Sequence, residues 1–237
     1  MKKFELTSET KINIFGKKLF RIKALVSFGV VKTGETGGWV EKEENVNQSG
    51  DAWVFDNAEV FGNARVFGNA RVFGNARVFG NAWVFGNAWV FDNARVSGNA
   101  RVFGDAWVFD NAEVSDNAWV FDNARVSGNA EVSDNAEVSD NAWVSGNAEV
   151  SDNAWVSGNA RVFDNADYAT IHGFGTQFRT TTFFRCKDKQ VKVSCGCFYG
   201  TIPEFCEQVK NTRKGKIAEE YLMIADLMEK HFAEEAK

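Results

Sequence analysis

The side chains with the most evident chemistry in this chain are two histidines and four cysteines, all after residue 170. They are His172, His231, Cys186, Cys195, Cys197 and Cys206. Either histidine could serve as a general base, and the thiols could ligate zinc. However, one residue separates Cys195 from Cys197, which is tighter than the two-residue gap usual in zinc knuckles. On a strand both thiols would face one side and could equally form a core, so we expect no metal site and no cofactor.

The chain that must position these groups is dominated by a six-residue repeat. The sequence reads Ala-x-Val-(Phe/Ser)-(Gly/Asp)-Asn from Ala52 to Ala166 without an insertion. A period of six fits neither the turn of an α-helix nor the alternation of a plain amphipathic strand. Ala and Val are two apart and share a face of an extended segment, whereas the Arg, Glu or Trp between them cannot line a dry core unpaired. We therefore expect Ala and Val to point inward, and the x and Phe/Ser positions to point outward.

The last two repeat positions predict a corner. Gly, Asp and Asn tolerate left-handed backbone angles, and a stacked Asn can bond its counterpart in the next coil. Three sides make a triangular coil of 18 residues, and about 20 sides at a strand spacing of ~4.8 Å make a rod of roughly 32 Å. The predicted fold is an all-β solenoid, a triangular hexapeptide β-helix. We expect a β cap over 1–50, the β-helix over 51–170, and an α+β cap or dimerisation module over 171–237.

Both flanking segments carry signals of regular structure. Residues 11–25 read as two strands around a Gly16-Lys17 turn, and the inward phase of the repeat extends back to about Gly38. RTTTFFRC (179–186) and QVKVSCGCFY (190–199) read as two further strands. The sequence TIPE (201–204) is a capping box that opens a helix, and apolar spacing over 217–232 predicts a final amphipathic helix.

The net charge of −5 hides an uneven distribution. Residues 51–170 carry seven Arg, no Lys and 17 Asp and Glu, whereas the segments before and after are mildly basic. Duplex DNA attracts basic surfaces, so we expect no direct binding to it, but an acidic body suits a basic protein partner. We find no apolar stretch of signal-peptide or membrane-helix length. We therefore expect a cytoplasmic protein with reduced thiols and no membrane contact.

The repeat resembles that of left-handed β-helices, in which an aliphatic residue follows a small one by two positions. In that family Gly often comes directly after the aliphatic residue, whereas here Phe or Ser holds that place. The resemblance implies a left-handed coil, and it raises an acyltransferase activity as an alternative function. Those enzymes present a catalytic His with a loop that breaks the repeat, and residues 52–166 contain neither. We therefore expect a protein that is not an enzyme.

A second resemblance covers nearly the whole chain. GGWVEKEEN (37–45), the repeats, TTTFFRCKD (180–188) and VSCGCFYGT (193–201) are similar to a group of bacterial, phage and prophage proteins. These are loosely described as hexapeptide-repeat, polymer-forming or acyltransferase-like. The resemblance implies an origin in a mobile element and a bacterial host cell, and it says little about activity.

Outward residues 18 apart stack on the same side of the coil and form three ladders. Face 1 consists of Trp53, Arg71, Trp89, Trp107, Arg125, Trp143 and Arg161. Face 2 consists of Arg65, Trp83, Arg101, Trp119, Glu137 and Trp155. Face 3 has no Trp and consists of Glu59, Arg77, Arg95, Glu113, Glu131, Glu149 and Asp167. Faces 1 and 2 alternate indole and guanidinium, which suits cation–π stacking at ~0.5–1 kcal/mol per exposed pair.

The ladders have two interpretations. They can stabilise the stacking of coils, as cross-strand pairs do in any sheet. They can also form a binding surface, because Trp and Arg are enriched at interface hot spots. An outward Phe column that changes to Ser from residue 127 to 157 favours binding, since a purely structural repeat gives no reason for such a gradient. The partner-binding candidates are Trp83, Trp89, Trp107, Trp119, Trp143, Trp155, Arg71, Arg101, Arg125, Glu131 and Glu149.

These features favour a non-enzymatic protein that binds and blocks a host macromolecule. The expected partner is a host protein or a nucleoprotein complex, such as a nucleic-acid-targeting defence complex. The acidic end would steer this partner toward the chain or mimic a polyanion. A second hypothesis is a self-assembling structural β-helix, with a homodimer or filament as its product. A third is carbohydrate or nucleotide binding on the aromatic ladder.

Overall fold

The computed structural model describes residues 2–233, which form a β-solenoid with a cap at each end. Three strands precede the solenoid repeats: β1 (Phe4–Ile12), β2 (Lys18–Ala24) and β3 (Thr36–Val40), followed by a short 3-10 helix at Glu43–Asn45. The strands β4 to β22 are, in chain order, Trp53–Val54, Glu59–Val60, Arg65–Val66, Arg71–Val72, Arg77–Val78, Trp83–Val84, Trp89–Val90, Arg95–Val96, Arg101–Val102, Trp107–Val108, Glu113–Val114, Trp119–Val120, Arg125–Val126, Glu131–Val132, Glu137–Val138, Trp143–Val144, Glu149–Val150, Trp155–Val156 and Arg161–Val162. The C-terminal unit contains β23 (Tyr168–Phe174), β24 (Arg179–Arg185), β25 (Val191–Cys195), β26 (Phe198–Thr201), α1 (Ile202–Thr212) and α2 (Lys216–Phe232).

The two-residue strands stack into three parallel sheets, one for each predicted face, in about seven turns. Each strand pairs in register with the strand at the same place in the next coil, as Trp89 does with Trp107. Ladder hydrogen bonds join successive coils, for example from the Trp89 N–H to the Ala106 carbonyl at 2.9 Å. The repeat Ala residues from Ala52 to Ala160 and the Val residues from Val54 to Val162 are at most 1% exposed. The predicted solenoid and its inward Ala and Val are confirmed.

Each corner is made by the Gly or Asp of the repeat, with φ between +52° and +72°. At Gly98 a Cβ would lie 2.6 Å from the backbone nitrogen of Asp116, because successive corners almost touch. Where Asp forms the corner, its side chain adds a bond between coils. The Asp110 carboxylate, for example, accepts a hydrogen bond of 3.0 Å from the Gly128 N–H, one coil further on. The neighbouring Asn side chains form the predicted ladder, as in the 3.0 Å bond from Asn81 Nδ2 to Asn99 Oδ1.

The N-terminal hairpin closes the first coil and extends one sheet of the solenoid. β1 and β2 pair antiparallel, β2 pairs with β3, and β3 joins the strands of face 3 in parallel. The hairpin therefore adds to a nine-stranded sheet in which β1 is the terminal strand. Lys3 Nζ donates to the Ala52 carbonyl at 2.9 Å, and burial lowers the pKa of this amine to about 8.

The C-terminal unit closes the last coil with a four-stranded antiparallel sheet and two helices. Phe184 and Cys186 join the solenoid core, and the Lys187 N–H donates to the Asn159 carbonyl at 3.0 Å. The predicted capping box at Thr201 and Glu204 is present at the start of α1. A second core lies between the sheet and the buried side of α2, which includes Tyr221 and Met228.

Three details differ from the sequence expectation. Ala166 continues the repeat in sequence, but it is exposed because the chain leaves the coil after Val162. Residues 168–174, the first part of which we expected to belong to the last coil, form β23 of the C-terminal sheet. Cys195 and Cys197 do not share a strand face, because a turn at 196–197 separates β25 from β26.

Candidate partner-binding surface

The predicted binding residues lie on three different sides of the triangular solenoid. Trp89, Trp107, Trp143, Arg71 and Arg125 are on face 1. Trp83, Trp119, Trp155 and Arg101 are on face 2, whereas Glu131 and Glu149 are on face 3. Since the three sheets face in different directions, these residues do not make one flat site. Any partner that contacts a single face meets only one of the three sets.

Face 1 is a stacked ladder of mostly half-buried groups. The Trp89 and Trp107 rings lie 5.2 Å apart and almost parallel, with an interplanar angle of 2°. The Arg71 guanidinium lies 5.4 Å from the Trp89 ring centroid, and that of Arg125 lies 4.8 Å from Trp107. The predicted cation–π contacts therefore form on this face and join successive coils.

Face 2 exposes its indoles more than face 1 does. Arg101 lies between two of them, 5.1 Å from the Trp83 ring and 5.0 Å from the Trp119 ring. Trp83 and Trp155 are 37% and 39% exposed, and they are the only exposed tryptophans in the described part of the chain. Large exposed aromatic groups cost solvation free energy unless a partner covers them.

Face 3 changes from paired to unpaired charge along the solenoid. Near the N-terminal end Glu59 bonds Lys11 at 2.8 Å and approaches Arg77 at 3.7 Å, and Arg95 pairs with Glu113 at 2.7 Å. Further along, Glu131 and Glu149 are exposed and pair in register with each other, without a salt bridge among residues 2–233. Like charges directly opposite are unfavourable, so this end of the face is an acidic surface.

Each of the six partner-binding Trp residues packs on the residue sixteen positions earlier. Where that residue is Phe, the rings meet edge to face, as Phe103 and Trp119 do at 6.1 Å. Where it is Ser, the indole N–H donates to the hydroxyl, as Trp155 Nε1 does to Ser139 Oγ at 3.2 Å. The change from Phe to Ser therefore has a structural role at these positions. At the other Ser positions between 127 and 157, our expectation that the gradient marks a binding surface stays a prediction.

Two open grooves lie at opposite ends of face 2. The first, of about 520 Å³, is lined by Arg65, Phe67 and Trp83 and by the segment around Glu43 and Glu44. The second, of about 530 Å³, lies between the last coils and the β23–β24 hairpin. Its lining includes Glu137, Trp155, His172, Phe178 and Arg179. Each exposed indole of face 2 thus borders a groove that the adjacent cap completes.

Glu137 is the one acidic residue of face 2, and its environment is unusual. It pairs in register with Trp119 on one side and Trp155 on the other. Burial against these neighbours raises the pKa of the Glu137 carboxyl, since desolvation disfavours its charged form. Sequence reasoning placed Glu137 in the ladder without a role of its own, because its position in the groove depends on the C-terminal hairpin.

The residues with evident chemistry are dispersed. His172 lies in the second groove, with Nδ1 3.2 Å from the Thr180 hydroxyl, whereas His231 is exposed on α2. Cys197 is exposed in a turn, and burial raises the pKa of the Cys186 thiol to about 11. Within residues 2–233 no group of three or more His, Cys, Asp or Glu side chains is arranged to hold a metal ion.

One ladder residue has a different role from the expected one. Trp53 begins face 1 in sequence, but it is completely buried beneath the N-terminal cap. Its ring meets Phe4 and Phe28 edge to face at 5.7 and 5.3 Å. The Gly37-Gly38 pair is the sequence signal, because a Cβ on Gly37 would lie 2.6 Å from the Trp53 ring.

Comparisons with known proteins agree with this architecture. Three stretches of the repeat, residues 64–78, 70–86 and 94–110, match the family described as YdcK Beta solenoid repeat. These stretches fall within the coils and support a repeat β-solenoid protein. A search of curated proteins finds no match to the chain. In the described part of the chain, neither helix combines the length and the apolar character needed to cross a bilayer.

Proposed function

We propose that this chain is a non-enzymatic protein that binds another macromolecule through face 2. The observation that carries the proposal is the position of Trp83 and Trp155, the two exposed tryptophans, each beside a groove at one end of that face. Trp119 lies between them and is held by Arg101. This arrangement presents rigid aromatic anchors with low conformational freedom, which is typical of interface hot spots.

The electrostatics favour a partner with a basic surface. The acidic end of face 3, with Glu131 and Glu149, would steer such a partner by long-range attraction. The same charge disfavours direct binding to duplex DNA. The resemblance of the caps and repeats to phage and prophage proteins supports a bacterial host protein or nucleoprotein complex as the target. Specifically, the chain would bind and block a nucleic-acid-targeting defence complex in the cytoplasm.

Self-association is the second candidate, and a different part of the structure favours it. β1 is the terminal strand of the nine-stranded sheet, so its outer edge can pair with another strand beyond Phe4, whose backbone bonds the Gln48 side chain. At the tip of the same hairpin Ile12 and Ile14 are 66% and 73% exposed. Sedimentation of the purified chain at increasing concentration separates this candidate from the first, because edge pairing would form oligomers of the chain itself, whereas binding of a different macromolecule through face 2 would not.

The experiment is a pull-down of tagged protein from lysate of a bacterial host, with and without nuclease. Two matched variants each replace three tryptophans with Gln, one on face 2 (Trp83, Trp119 and Trp155) and one on face 1 (Trp89, Trp107 and Trp143). Circular dichroism checks that both retain the solenoid. We expect one dominant partner, lost in the face 2 variant and kept in the face 1 variant. Loss of the partner on nuclease treatment would indicate a nucleoprotein. Equal retention in both variants would contradict the proposal.

A further inference from the structure

Four outward positions of the repeat lie between two tryptophans of the same ladder, one in the coil before and one in the coil after. They are Arg71, Arg101, Arg125 and Glu137. At the three arginines the guanidinium lies within 5.4 Å of the centroid of at least one flanking indole. Three of the four spaces between indoles are therefore occupied by a cation of the chain itself, and the fourth holds a carboxylate.

Glu137 is an unfavourable residue for the stability of the ladder at its position. The face of an indole carries negative potential, so a carboxylate between Trp119 and Trp155 lacks the attraction that Arg101 has two coils earlier. No salt bridge within residues 2–233 compensates its charge, and burial raises its pKa. A residue that conflicts with the pattern of its surroundings is typical of a functional position.

The space beside Glu137 opens into a groove, and one of its walls is held in place. Glu is shorter than Arg, so it does not fill the outer part of the gap that Arg101 fills between Trp83 and Trp119. The hydrogen bond from Trp155 Nε1 to Ser139 Oγ, 3.2 Å long, holds one indole in position. Glu137 and Trp155 also line the groove of about 530 Å³ that the C-terminal hairpin completes.

We propose that Trp119, Glu137 and Trp155 bind the guanidinium group of an arginine side chain from the protein partner. A planar guanidinium stacks on indole faces and donates two parallel hydrogen bonds to a carboxylate. The inserted arginine would take the place that Arg101 holds in the preceding gap, with Glu137 as its counter-charge. This inference rests on the proposed function, because it names the group of the partner that face 2 recognises.

The direct test does not need the partner. Indole N–H signals of the full-length protein are followed by NMR while N-acetyl-arginine amide is added, with the neutral isostere N-acetyl-citrulline amide as the control ligand. We expect saturable shifts at Trp119 and Trp155 with arginine, and none at Trp83, whose gap is already filled. Shifts of similar size with citrulline, or shifts spread over all eight indoles, would overturn the inference.

Two substitutions complete the test. Glu137→Gln keeps the shape and removes the charge, and we expect it to weaken arginine binding about fivefold. Glu137→Arg fills the gap from within and should abolish the shifts. Glu219→Gln in the first turn of α2, outside the three faces, is the control and should have no effect. A partner still captured by Glu137→Arg would refute the arginine site and leave the proposed function standing, whereas unchanged arginine binding in Glu137→Gln would refute the site outright.

Discussion

The indole N–H of Trp143 donates a hydrogen bond of 2.9 Å to the hydroxyl of Ser127, sixteen positions earlier and one coil away. Ser127 is only 3% exposed, although it occupies an outward position of the repeat. The indole covers the hydroxyl and the hydroxyl fixes the indole. The same spacing joins Trp89 to Phe73 through an edge-to-face contact of 5.9 Å, so two chemically different residues serve one orienting role.

This relationship predicts a selective effect of serine substitutions. Ser127→Ala removes the acceptor of a partly buried indole N–H and should lower the free energy of unfolding by about 1 kcal/mol. Ser133→Ala is the matched control, because the residue sixteen positions later is Glu149 and no indole depends on it. Urea unfolding gives the stability, and hydrogen exchange of the Trp143 indole N–H gives the local effect. Equal losses in the two variants would contradict the pairing.

The sequence predicts the coil well because the same six-residue pattern recurs along the solenoid. Inward Ala and Val, left-handed corners, the Asn ladder and the pairing of each repeat with its counterpart one coil later all follow from spacing and from the conformational tolerance of Gly and Asp. The cation–π pairs follow from the same register, as Arg101 between Trp83 and Trp119 shows. These features are local and periodic, so an inference made at one repeat applies equally to the adjacent repeats.

The predictions from sequence fail where the repeat contacts one of the two caps. The cap buries Trp53, and no property of the repeat distinguishes it from Trp89. Ala166 keeps the motif but leaves the coil, since the backbone must turn toward the C-terminal sheet. The groove at Glu137 depends on Phe178 and Arg179, which approach it only because the β23–β24 hairpin folds back over the last coils. Such contacts between distant segments have no periodic signature.

Burial separates two tryptophans that look alike in sequence. Trp53→Ala should cost about 3–5 kcal/mol because it leaves a cavity beneath the cap. Trp83→Ala removes a partly exposed ring and should cost about 1–2 kcal/mol. Trp53→Phe should be tolerated better than Trp53→Ala, since the buried Trp53 indole N–H has no hydrogen-bond partner among residues 2–233. Urea unfolding of the three variants measures the differences, and similar costs for Trp53→Ala and Trp83→Ala would show that the cap does not seal this site.

The cysteines should react with a maleimide in an order set by exposure and pKa. Cys197 is exposed and should react first. Burial raises the pKa of Cys206 and raises that of Cys186 to about 11, so little of the reactive thiolate forms there near neutral pH. Mass spectrometry of peptides over time gives the order, and Cys197→Ser should remove the fast phase. A denaturant should abolish the differences. Early labelling of Cys186 would mean that the last coil opens to solvent.

Glu137 should give the protein a pH dependence of stability with a defined sign. Burial raises its carboxyl pKa in the folded state above the ordinary value of 4.5, so between these two pKa values the folded state holds the proton that the unfolded state has lost. Stability therefore falls as the pH rises from 4.5 through the folded-state pKa, and the penalty persists at higher pH.

Glu137→Gln removes this contribution and should gain stability relative to the natural sequence as the pH is raised from about 4 to about 8. His172 and Arg179 line the same groove and remain in both proteins, so the difference between the two unfolding curves isolates Glu137. A difference that stays constant with pH would mean that the carboxylate is fully solvated and that the gap between Trp119 and Trp155 is not the desolvated site that binding of a guanidinium requires.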